Sequence, residues 1–168
     1  MPCILYNVPS RTITSLSAET TIRLSKIPNI IGTKEASGNM DQISRIIKEA
    51  KPGFLVWSGN DGDTLPMLAL GAYGVISVTS HLAGKQMSEM IYSFVKGDVK
   101  RAAELHMQLL PLFTSLFLVS NPQPIKYALN KIGFDVGKPR LPLVEPDAAT
   151  AALIDAALKK SQIDLPVK

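Results

Sequence analysis

The sequence predicts an α/β fold in which parallel strands alternate with crossover helices and give way to a purely helical region. Three observations lead there. Four short apolar or β-branched segments, "CILYN", "NIIGTKEA", "FLVWSG" and "GVISVTS", place strands near 3–7, 29–35, 54–59 and 74–79. Helical patterns fill the intervals between them, and a β-α-β-α-β-α-β order argues for parallel pairing through crossover connections. Beyond the fourth strand, apolar residues recur only at helical spacing. The expected division is therefore 1–82 for four βα units and 83–168 for the helical region.

Each element has its own signal. In "SLSAETTIRLSKI", Ser17 stands where a helix cap belongs. In "NMDQISRIIKEA", Asn39 and Gln42 have capping-box spacing, and Met40, Ile43, Ile46 and Ile47 form one apolar stripe. "DGDTLPMLALGA" predicts a shorter helix with Pro66 near its start. Met87, Met90, Ile91, Phe94 and Val95 define the next helix, and a long one runs from Asp98 towards Phe117 through Pro111. Another begins near Pro122 or Pro124 and ends at Gly133. "VGKPRLPLVEP" reads as an extended tether, and "DAATAALIDAALKK" forms the last helix.

Composition narrows the function. The chain has 168 residues, 46% of them apolar and 19% charged, which is enough apolar material for a globular core. The formal charge of +4 is spread along the chain without a basic, aromatic-interleaved patch, so nucleic acid is not an expected partner. Anionic small molecules suit this balance. Cys3 is the single cysteine, so no internal disulfide forms, and "MPCILYNVPS" lacks the basic and apolar regions of a signal peptide. No apolar run approaches the roughly 20 residues that span a bilayer. The cytoplasm is the expected compartment. "NDGD" breaks the calcium-loop pattern and reads as a helix start. His81 and His106 lack metal-ligand spacing, and no glycine-rich phosphate fingerprint is present.

The residue that invites chemistry is Lys34. Side chains alternate along a strand, so Ile30, Gly32 and Lys34 share one face while Ile31, Thr33 and Glu35 share the other. Lys34 lies near the carboxyl end of its strand, where parallel α/β barrels carry their active sites. Gly32 beneath it leaves room for a long side chain or a ligand. An amine must be uncharged to attack a carbonyl, and apolar surroundings favour the uncharged form. It then forms a Schiff base with a keto acid. The competing reading is a strand-end lysine whose ammonium reaches water. Tyr6 ends the preceding strand and offers a phenol for proton relay, or else an ordinary core hydroxyl. Arg11 follows in the "NVPSRT" loop, with a planar fork suited to a carboxylate. Gly59 permits close ligand approach or simply a turn, and Ile76 reads as core.

Taken together, "YNVPSRT", "IIGTKEASGN", "SGND" and "GVISVTS", with "NPQPIKYALNKIG" and "RLPL" further on, resemble the carboxyl half of the dihydrodipicolinate synthase family. The resemblance implies βα units five to eight of a (β/α)8 barrel, then the last barrel helix and a helical region. It implies a class I, Schiff-base lyase of lysine and diaminopimelate biosynthesis that condenses pyruvate with aspartate 4-semialdehyde. Lys34 would carry the imine and Tyr6 the proton relay. Arg11 would hold the semialdehyde carboxylate, and main-chain groups at Gly59 and Ile76 would line the pyruvate site. No metal or organic cofactor is implied. Arg11 favours this family over N-acetylneuraminate lyase. Ile13 departs from the pattern, standing where the family usually has glycine.

Four βα units are half of a barrel that usually takes about 250 residues. The expectation is that such a half exposes sheet edges and an apolar face and so forms a homo-oligomer. Weak or absent turnover is expected without the other half, and the alternative is a non-catalytic chain that only folds or assembles.

Overall fold

The computed structural model describes residues 1–164. The last four residues of the expected helical region lie outside them. The chain divides into two compact units, Met1–Ser77 and Val78–Lys168.

The first unit is built on a four-stranded parallel sheet in the order β1-β2-β3-β4, formed by Cys3–Asn7, Ile30–Glu35, Leu55–Ser58 and Gly74–Val75. Between the strands come α1 (Pro9–Thr12), α2 (Ala18–Ser25), α3 (Met40–Glu49), a 3-10 turn (Asp61–Asp63) and α4 (Thr64–Ala69). The helix starts follow local chemistry: Ser17 Oγ accepts the Thr20 N–H and Asn39 Oδ1 the Gln42 N–H, each satisfying a donor of the first turn. Ile43 and Ile46 of α3 are fully buried and meet Ala18, Val56, Met67 and Ala72 in the core between helices and sheet.

Two local expectations change. The fourth strand pairs over two residues rather than 74–79. The Ile76 N–H still donates to Ser58 O at 2.9 Å, but Thr79 already has helical backbone angles and the chain turns into the next helix. Arg11 lies not in an open loop but in α1, a single turn that Pro9 starts and that Ile13 ends. Ile13 caps it with φ 58°, in the left-handed region, and is 90% exposed. A β-branched residue there is strained, and glycine is the residue the position suits.

The second unit is helical: α5 (Ser80–Val95), α6 (Val99–Ser115), α7 (Gln123–Lys131) and α8 (Ala148–Lys160). Helix α5 starts earlier than its apolar spacing indicates and breaks at Ala83 (φ −133°, ψ 48°). Asp164 closes the break, accepting the Lys85 N–H at 2.8 Å and donating its own N–H to Leu82 O at 2.7 Å. Helices α7 and α8 share a polar cluster: the Tyr127 hydroxyl donates to Asp155 at 3.1 Å, and Lys131 pairs with Asp155 at 2.9 Å. The Lys131 hydrogen bond holds the Asp155 carboxyl below its ordinary range, while burial and the Asp155 bond push the Tyr127 phenol up. Among the described residues, no helix is long and apolar enough to cross a membrane.

Candidate active site

The parallel register brings three strand ends together. Tyr6 pairs with Lys34, and Lys34 pairs with Trp57, so the lysine stands in a cross-strand row between two aromatic residues. Lys34 Nζ lies 4.4 Å from the centroid of the Tyr6 ring, within the range of a cation–π contact. The lysine is half-buried rather than enclosed, because its face of the sheet carries no helix layer in this unit. Ile4 and Tyr6 on that face are 45% and 48% exposed.

Gly32 does make room, but the room is already taken. A Cβ at Gly32 would collide with the Trp57 ring and with Leu55 O, so the glycine lets the indole lie across the sheet beneath the lysine. Trp57 in turn meets Tyr73 edge-on, with centroids 5.7 Å apart. Gly59 sits against the lysine from the next strand end. A Cβ there would stand 3.1 Å from Lys34 Cε and 2.7 Å from Ala36 Cβ, tighter than ordinary contacts allow. The Gly59 N–H donates to Glu35 O at 2.7 Å, which fixes that approach.

The remaining expected residues are placed less closely. Arg11 is exposed on α1, just past the carboxyl end of β1. Ile76 is 41% exposed and not core; it follows β4, an edge strand of this sheet, and has no helix over it in this unit. Lys34 is thus brought against both Tyr6 and Gly59, and Arg11 and Ile76 stand at the same, carboxyl end of the sheet.

Three residues escaped the sequence reading. Trp57 is one. The other two lie on the opposite face: Glu35 and Asn7, 1% and 2% exposed. Asn7 Nδ2 donates to both Glu35 carboxylate oxygens, at 2.9 and 3.2 Å, and the Ser37 N–H donates to Oε1 at 2.9 Å. Asn7 Oδ1 accepts the Leu16 N–H at 3.0 Å, and Gln42 Nε2 donates to Leu16 O at 3.1 Å. The available signal was an amide and a carboxyl side chain at the helix-facing ends of two adjacent strands. Among the described residues, no three His, Cys, Asp or Glu side chains gather as metal ligands.

A profile of the dihydrodipicolinate synthetase family matches residues 1–161. The chain belongs to this family. It is 66% identical over all 168 residues to the 4-hydroxy-tetrahydrodipicolinate synthase of Dehalococcoides mccartyi strain 195, covering 57% of that relative. It is 52% identical over 159 residues to the enzyme of that name from Listeria innocua serovar 6a, covering 95% of this chain and 54% of the relative. Among solved structures, that of dihydrodipicolinate synthase from Aquifex aeolicus superposes with a TM-score of 0.93 at 42% identity, over all of this chain and 57% of the other. The protein from Cyanidioschyzon merolae, solved with lysine bound, gives a TM-score of 0.93 at 42% identity over 95% of this chain and 54% of its own. The chain therefore spans about half the length of the relatives it matches, in keeping with four βα units of an eight-unit barrel.

Proposed function

We propose that this chain carries the Schiff-base half of a pyruvate-dependent synthase site that forms 4-hydroxy-tetrahydrodipicolinate, in lysine and diaminopimelate biosynthesis. The observation that supports it most is Lys34 at a strand's carboxyl end, beside the Tyr6 ring and against Gly59, in a member of this family.

The Lys34 amine attacks the keto carbon of pyruvate to form a carbinolamine, and loss of water gives the imine. Tyr6 passes protons to and from the departing oxygen. Loss of a methyl proton turns the imine into an enamine, whose carbon bonds to the aldehyde carbon of aspartate 4-semialdehyde. The aldehyde oxygen takes up a proton. The amino group of the semialdehyde then attacks the imine carbon, closes the ring and expels the Lys34 amine. Arg11 binds the semialdehyde carboxylate through its planar fork. Main-chain groups at Gly59 and Ile76 line the pyruvate pocket.

The open face also supports a second element of the proposal. Ile4, Tyr6 and Ile76 leave apolar surface exposed beside two unpaired strand edges, which favours a homo-oligomer of the cytoplasmic protein. A monomer in sedimentation, with no dye-binding apolar surface, contradicts that element.

The catalytic reading is tested by incubating the protein with pyruvate alone and, in a parallel sample, with pyruvate and aspartate 4-semialdehyde, and then reducing both with borohydride. Pyruvate should be fixed covalently, and prior addition of the semialdehyde should reduce the trapped fraction. A chain that traps no pyruvate only folds or assembles. One that traps pyruvate and releases it to an N-acetylated sugar rather than to the semialdehyde belongs to a different lyase reaction.

A further inference from the structure

We propose that Glu35 and Asn7 are a positioning pair that holds the Lys34 and Tyr6 side chains in register and anchors the turn carrying Arg11. The inference rests on the Schiff-base reading above and adds residues that touch no substrate in it.

The two catalytic candidates are themselves paired, Tyr6 with Lys34, and one step further along the same strands Asn7 pairs with Glu35. At that point the ladder closes on its last backbone bonds, and side-chain bonds add to them. The Glu35 carboxylate receives Asn7 Nδ2 on both oxygens and the Ser37 N–H on one. The Ala36 N–H donates to Asn7 O at 2.8 Å, and Glu35 O receives the Gly59 N–H at 2.7 Å. One residue next to the lysine thereby binds β1 through its side chain and the end of β3 through its carbonyl. Gly59 is the group that limits where Lys34 Cε can go.

The same pair reaches the substrate-facing turn. The segment after Arg11 returns to Leu16, whose N–H is held by Asn7 Oδ1 and whose carbonyl is held by Gln42. The α1 turn is thus fixed at both ends, covalently at Asn7 and by hydrogen bonds at Leu16.

Burial of a carboxylate disfavours folding unless its lone pairs are satisfied, and an apolar side chain at this position would serve the core better. Retaining a buried Glu–Asn bond makes sense where geometry has to be specified. Misplacing a reacting group by about 1 Å costs on the order of 100-fold in rate.

The hydrogen bonds also define a clean exchange. Glu35→Gln with its oxygen at the Oε1 position keeps the 2.9 Å bonds from Asn7 Nδ2 and the Ser37 N–H but sets its NH2 against Asn7 Nδ2 where Oε2 accepted at 3.2 Å, and turned the other way its NH2 opposes both donors. Asn7→Asp sets a carboxylate against a carboxylate. The double exchange restores the bonds between the two side chains and gives up only the long 3.4 Å bond from Asn7 Nδ2 to Leu16 O. The amide introduced at position 35 donates to the carboxylate introduced at position 7 and accepts from the Ser37 N–H, while that carboxylate still accepts from Leu16.

The test is the rate of borohydride trapping of pyruvate at saturating pyruvate, normalised to folded protein by circular dichroism, for the natural chain, both single variants and the double one. Asn7→Asp should trap roughly 10- to 100-fold more slowly once folded, and Glu35→Gln more slowly by a smaller factor. The double variant should return to within about threefold of the natural chain. Single variants that react at the natural rate when folded, whatever their melting temperature, overturn the positioning role and leave the Schiff-base reading standing. A folded double variant that stays slow also overturns it, and this arm decides the matter if the single variants do not fold. Absence of trapping by the natural chain removes the Schiff-base reading and this role with it.

Discussion

The two faces of the four-stranded sheet are made by alternate residues of the same strands, yet they obey different rules. Thr33, Glu35, Val56 and Ser58 point towards the helices and are buried, and the side-chain bonds of Glu35 and Asn7 lie within that layer. Ile4, Tyr6, Lys34, Trp57 and Ile76 belong to the other face and are exposed or half-buried. The covered face carries stability, and the open face carries the proposed chemistry. Parity on a strand separates the two tasks except at Glu35 and Asn7, which link them in the proposal above, so a substitution elsewhere can address one without the other.

The sharpest break is Lys34→Ala. It should abolish pyruvate trapping while changing stability by no more than about 0.5 kcal/mol, since the side chain is half-buried and outside the core. Urea unfolding alongside the trapping assay checks both halves. The converse is Ile46→Ala on the covered face. Loss of that fully buried side chain should destabilise by about 3 kcal/mol and leave the trapping rate of folded protein unchanged. If it slowed trapping in folded protein, the faces would be coupled more tightly than parity implies.

Gly59→Ala probes the boundary between them. Its Cβ would press on Ala36 Cβ, which cannot yield without moving the strand end, and on Lys34 Cε, so trapping should slow by roughly tenfold together with a loss of stability of about 1–3 kcal/mol. A smaller effect is expected at Ile13, where glycine removes the left-handed strain. Ile13→Gly should stabilise by up to about 1 kcal/mol in thermal or denaturant unfolding and leave trapping untouched.

The smallest effect lies in the helical unit, at the partly exposed Lys131–Asp155 pair. The folded-state Asp155 carboxyl is lowered from 3.8, so its contribution is present above that pH and fades as pH falls through the folded value. The stability difference between the natural chain and Asp155→Asn should therefore shrink on acidification from about pH 5 to about pH 2. A difference that stayed constant would mean that the ion pair contributes nothing.

Much of this division was legible in the residues. The alternation of apolar strands and capped helices announced the parallel sheet, and Ser17 and Asn39 cap helices as their spacing indicates. The parity of Lys34 separates it from Thr33 and Glu35 in the sequence itself. What stayed hidden depended on register and space. Which residue of β3 stands beside Lys34 is set by pairing between distant segments, so Trp57 could not be assigned and Gly32 looked like an open floor. The length of β4 was overestimated because β-branched residues continue past the point where the chain bends into α5. Ile76 looked like core because an apolar residue carries no mark of which face lacks a cover. The glycine expected after "SRT" by family resemblance proved informative in the other direction, since the backbone at Ile13 retains the conformation glycine would take.

The central claim is that Lys34, among the described lysines, is the one placed to hold a keto acid. A peptide map of the protein after reaction with pyruvate and borohydride tests it most directly. The account predicts the reduced adduct on the peptide containing Lys34 and its loss in Lys34→Ala. Adduct spread evenly over surface lysines, or none at Lys34, would contradict it.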